Sequence, residues 1–148
     1  VNLLERRRLL LESSGLTVLP DTDQEIRPSP QKVWQGVAGF LVEPDVSVPT
    51  ARPDWAEQVD TRWRELARRH GLIGPDGTFL IHVGARGLGG LGWARVRRQD
   101  DARLAATLTD GPGQPEFVTM SCDGRTACGV TTEEDSIWLV RTDSEPDG

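Results

Sequence analysis

The chain has 148 residues and a formal net charge of −6. It contains no run approaching the roughly 18 apolar residues of a membrane-spanning helix. That length suits one domain whose folding buries about two-thirds of the surface the unfolded chain exposes, so a single domain over 1–148 is expected.

Sixteen of the basic residues are Arg and one is Lys32. A GC-rich bacterial genome encodes this bias, so arginine abundance is a codon effect before it is a functional one. Residues 101–148 carry ten acids against three Arg. Phosphate affinity comes from neutralisation by Lys and Arg, and this balance argues against nucleic acid as a partner. The start, Val1 to Leu11, interrupts its leucines with Arg6, Arg7 and Arg8 and has no small-residue cleavage site, unlike a secretory signal. Cytoplasmic residence is therefore expected, with Val1 an alternative start codon, a processed end or a trimmed one.

In chain order, Asn2 to Ser13 reads as an amphipathic helix. Asn2 is its cap, Glu5 the capping-box partner, Gly15 a left-handed stop, and Leu3, Leu4, Leu10 and Leu11 its apolar face. A short strand comes next over Leu16 to Leu19, then a polar loop from Asp21 to Pro30. Val33 to Val42 is apolar enough to be a buried strand, with Gly36 and Gly39 marking a bend. Glu43 to Pro53, with three prolines, reads as a second loop. The clearest element is a helix from Asp54 to His70, where Asp54 is the cap, Gly71 closes the end, and Trp55, Val59, Trp63, Leu66 and Ala67 fall on one face.

Gly74-Pro75-Asp76-Gly77 is a turn into an alternating strand, Thr78 to Val83. A glycine-rich link leads to a neighbouring antiparallel strand, Leu91 to Arg97, and Asp101 to Leu108 forms a short helix. Phe117 to Cys122 and Arg125 to Thr132 flank Asp123-Gly124, a two-residue hairpin signal. The acidic turn Thr132 to Asp135 precedes a last strand, Ile137 to Val140, and residues 142–148 form a frayed acidic tail. The fold class is α+β: five to seven mostly antiparallel strands, with the 54–70 helix packed on one face through Trp63.

The chemistry-bearing residues do not assemble by spacing. Gly87, Gly89 and Gly92 match a dinucleotide-binding glycine pattern, yet the segment between Gly92 and Asp100 is too short for a crossover helix, so a flexible link is the better reading. A two-residue Asp123-Gly124 turn pairs Cys128 with Thr119 and puts the sulfurs of Cys122 and Cys128 on opposite faces, which excludes a disulfide between them. No metal-ligand spacing and no cofactor motif is present. His82, Ser121 and Cys122 are the pieces from which a small hydrolase or transferase would build a catalytic site. Their flanks lack the glycines of a nucleophile elbow.

Glu133, Glu134 and Asp135 form the densest acidic group. In a turn they solvate the chain, or they present an acidic face to a basic partner. The expected function is a non-enzymatic, cytosolic protein-binding domain, a build common among bacterial immunity and adaptor proteins. It would dock on a partner protein with a basic surface through Glu133, Glu134 and Asp135. The enzyme built from His82, Ser121 and Cys122 is the alternative.

Overall fold

A computed structural model describes residues 2–20, 25–38, 42–110 and 113–143. Among these residues seven antiparallel strands form one sheet and four helices cover its two faces, so the chain is an α+β fold. The helices are α1 (Leu3–Ser13), α2 (Pro30–Val37), α3 (Trp55–Arg69) and α4 (Leu104–Thr107). The strands are β1 (Leu16–Val18), β2 (Val46–Pro49), β3 (Thr78–Val83), β4 (Ala94–Arg98), β5 (Phe117–Met120), β6 (Thr126–Thr132) and β7 (Ser136–Asp143). Across the sheet their order is β1-β4-β3-β5-β6-β7-β2. None of the described helices is long and apolar enough to cross a membrane.

Side chains alternate along each strand, so the sheet sorts its residues onto two faces. Phe79, Ile81 and Val83 of β3, Val96 of β4, Phe117 of β5, Val130 of β6 and Ile137 and Leu139 of β7 point to one side. There they form the main core with α1, α3 and α4. Leu80, Val118, Met120, Ala127 and Val140 point to the other side and meet Val33 and Val37 of α2.

The 54–70 helix forms as its periodicity predicts. Val59, Trp63, Leu66 and Ala67 are buried, and Gly71 adopts φ +71° beyond its end. Trp63 is 1% exposed; its ring packs on Phe79 at 5.3 Å, and its indole N–H donates to the Thr119 hydroxyl at 2.9 Å. Asp54 does not cap the helix. Its backbone is not extended (φ −97°, ψ 21°), and its carboxylate instead accepts from Arg52 and Gln58.

In α1 the Asn2 side chain accepts from the Glu5 amide at 2.8 Å, and Gly15 takes φ +94°. The carboxylate of Glu5 engages Arg8. The leucine face is corrected: Leu10 and Leu11 are buried, but Leu3 and Leu4 are 44% and 56% exposed, because α1 meets the core only through its second half.

Two elements differ in kind from the pattern-based expectation. The strand expected over Val33 to Val42 is a helix as far as Val37, while 39–41 lie outside the described residues. Ser29 accepts from the Lys32 amide and Pro30 occupies the first turn, where its missing N–H costs nothing. Val33 and Val37, one turn apart, then face the sheet. The loop expected over Glu43 to Pro53 contains β2, which pairs with β7 at the edge of the sheet. An edge position tolerates Pro49, which has no amide to offer a neighbour.

The hairpin register is as expected, with Thr119 opposite Cys128 and Met120 opposite Ala127. The turn is one pair wider, because Gly124 N–H donates to Ser121 C=O. Both cysteines are free, Cys122 exposed and Cys128 buried. Strand β7 is longer than expected: Thr142 and Asp143 pair with Ala127 and Thr126 instead of fraying, and 144–148 lie outside the described residues. The Asp101 to Leu108 helix shrinks to α4, a single turn.

Candidate functional site

The catalytic pieces of the alternative reading occupy separate surroundings. His82 sits in β3 opposite Val118 of β5, about 10 Å of strand away from Ser121. Its ring is buried on the α2 side, where Nδ1 accepts from the Trp34 indole at 2.8 Å and Nε2 lies 2.9 Å from the Gly89 carbonyl. Burial holds its pKa below the ordinary 6.5, against the pull of the Gly89 carbonyl and with help from the nearby Arg7 cation.

Ser121 is occupied at the hairpin turn. Its hydroxyl donates to Asp123 at 2.6 Å and accepts from the Thr126 amide at 3.3 Å. Asp123 also accepts from the Arg125 amide, and these bonds hold its carboxyl below the usual range. Cys122 is exposed, and desolvation raises its thiol pKa despite a compensating contact with Arg95. A nucleophilic cysteine needs the opposite shift. The Cys128 thiol, fully buried, is pushed up to about 12. No described hydrogen bond joins His82 to Ser121 or Cys122.

Glu133, Glu134 and Asp135 are all exposed, at the tight turn between β6 and β7. The turn is closed by Glu133 N–H donating to Ser136 C=O at 2.8 Å. Its far side is tied to the end of β2, where the Thr50 amide and hydroxyl both donate to the Asp135 carbonyl. The acids are thus presented on a braced turn.

Two further acids join them. Glu116, just before β5, accepts from the Thr132 amide, and its carboxyl pKa is raised mainly by desolvation and further by the charges of Glu133 and Asp110. Asp110 accepts from the Arg86 amide at 3.0 Å. Neither Glu116 nor Asp110 is adjacent to the turn in sequence. The pairing of β5 with β6 brings the first there, and only counting which strand ends share an edge could have found it.

On the same side as α3, Val46 to Pro49 of β2 with Arg52, Gln58 and Arg62 line an open groove of about 230 Å³. Both arginines already have acidic neighbours, Asp54 and Glu65. Asp60 of α3, buried more deeply, accepts from the Ala105 amide at 3.0 Å at the start of α4, and desolvation lifts its pKa to about 6. Among the described residues no group of three or more His, Cys, Asp or Glu is placed to hold a metal. No protein-family model, no curated protein and no solved structure matches this chain.

Proposed function

We propose that the protein is a non-enzymatic docking domain of the adaptor or immunity type, working in the cytoplasm, that engages a basic protein surface through Glu133, Glu134 and Asp135 with Glu116 beside them. The observation that carries this reading is the gathering of Glu133 and Asp110 around a half-buried carboxylate: desolvation is the main cause of the raised Glu116 pKa, and the two neighbouring charges add to it. A solvating acid avoids such neighbours. A cationic side chain from a partner would relieve the repulsion and gain charge-assisted hydrogen bonds. The braced turn supports the same reading, since a pre-ordered surface loses little entropy on binding. Phosphate backbones are repelled from this end of the sheet, which leaves protein as the favoured class of partner.

The test compares the wild-type chain with a variant in which Glu133, Glu134 and Asp135 are changed together to Ser or Asn. The partner is captured from the native host, purified, and its association rate measured at low and at physiological ionic strength. The expected result is an unchanged melting temperature and an association rate at least tenfold lower at low salt. The wild-type rate should fall with salt while the variant's hardly does. Equal rates at low ionic strength would move the interface elsewhere and reduce the acidic turn to a solubility feature.

A further inference from the structure

His82 joins three parts of the fold that are distant in sequence. Trp34 belongs to α2, Gly89 to the glycine-rich connection between β3 and β4, and His82 to the sheet beneath both. The indole N–H can only donate, so Nδ1 must be the unprotonated acceptor, and Nε2 then carries the single proton and donates to Gly89 C=O. The arrangement thus specifies one tautomer of the neutral ring. Trp34 and Trp93 flank the imidazole edge-on at 6.2 and 6.4 Å. The Trp93 indole N–H in turn holds the Pro28 carbonyl just ahead of α2, at 3.0 Å.

We propose that His82 is a pH-sensitive latch: neutral, it holds α2 and the glycine-rich connection against the sheet, and on protonation it releases α2. A second proton goes to Nδ1 and leaves two N–H donors, those of His82 and Trp34, facing each other in a buried place. The Trp34 bond breaks and its donor has no other described partner. The charged group facing the ring is Arg7 of α1, whose guanidinium donates to Gly92 C=O at 2.8 Å and opposes a second cation nearby. Among the described residues the other neighbours are uncharged: Trp34 from α2, Trp93 and the backbone of Gly89 and Leu91 from the connection, and Val118 opposite in β5. With eight residues, α2 is too short to persist without its contacts to the sheet. What remains for it after the latch opens is the packing of Val33 and Val37 and the Trp93 bond to Pro28 just ahead of the helix.

Nitrogen-15 NMR of the imidazoles, with His70 as the only other histidine, reads tautomer and titration directly. Hydrogen exchange of the 33–38 amides reads the helix. At pH 7.5 the His82 ring should carry its proton on Nε2. Through its titration the protection of the 33–38 amides, corrected for intrinsic exchange, should fall at least tenfold while α3 keeps its protection. His82→Gln, whose amide can accept from Trp34 and donate to Gly89 without titrating, should hold α2 at both pH values. Trp34→Phe should raise the His82 pKa and remove the pH dependence of α2. A ring protonated on Nδ1, unchanged protection of 33–38 across the titration, or loss of α3 protection in step with α2 would each overturn the latch.

Discussion

The two faces of the sheet are held by different physics. On the α3 side a broad apolar core runs from Leu11 and Leu16 through Trp63, Phe79 and Phe117 to Leu139, all essentially without solvent contact. Its central polar group, the Trp63 indole, is satisfied by Thr119, which itself donates to the Cys128 carbonyl. On the α2 side the apolar layer is small, and a Trp34–His82–Gly89 chain of hydrogen bonds supplements it. Burial is non-directional and insensitive to pH, whereas a hydrogen-bonded histidine is both directional and titratable. The difference makes α3 the structural support and α2 the adjustable part.

Asp60 on the α3 side and His82 on the α2 side are both shifted by desolvation, and they respond to acid in opposite ways. For Asp60, on the α3 side, the folded pKa lies above the unfolded one, at about 6 against 3.8. The folded state therefore binds the proton more tightly. The stability this group contributes is present below pH 3.8 and is lost as pH rises through about 6. For His82 the folded pKa lies below the ordinary 6.5. Its contribution is present above 6.5 and is lost as pH falls through the folded value.

The strongest test of this contrast is Trp63→Ala. It removes the largest buried side chain of the α3 face, and should cost about 3 to 5 kcal/mol in urea unfolding. A loss below about 1 kcal/mol would mean that the main core does not centre on α3.

Next in size, Asp60→Asn should remove one source of pH dependence. Wild-type stability should decline between about pH 4 and 6.5 relative to the variant, by on the order of 2 to 3 kcal/mol. Urea titrations at both pH values measure it, and parallel curves for the two proteins would remove Asp60 from the account.

On the α2 face Gly129 is the pressure point, since a Cβ there would lie 2.6 Å from a methyl of Val37. Gly129→Ala should cost roughly 1 to 3 kcal/mol by over-packing and should shift the emission of Trp34. Gly36→Ala is its counterpart. That position is exposed in α2 with only the Thr142 hydroxyl nearby, at 3.8 Å, so the change should add roughly 0.5 to 1 kcal/mol. Stabilisation at 36 together with destabilisation at 129 is the signature of a helix packed closely on β6; the reverse pattern would favour a strand.

Where interactions are local in sequence, the chain's pattern was sufficient. The spacing of Val59, Trp63, Leu66 and Ala67 makes α3 amphipathic by itself, and the alternation of Phe79, Ile81 and Val83 marks β3. Asp123-Gly124 places Thr119 opposite Cys128, because a turn of given length leaves one register. The acidity and exposure of Glu133 to Asp135 were equally legible, since a charged turn between two strands has nowhere to go but solvent. The periodic signal is ambiguous over 33–42, where a short apolar run suits a buried strand as well as a helix. The Ser29-Pro30 start and the room that Gly129 leaves for Val37 decide for the helix. Likewise β2 exists because β7 offers an edge, against the local discouragement of Pro44 and Pro49. The placement of Glu116 beside Glu133, and of Trp34 on His82 across 48 residues, comes from strand order and helix docking. A hydrogen bond or a repulsion between distant residues leaves no period in a sequence; it exists only once the sheet has brought its partners together.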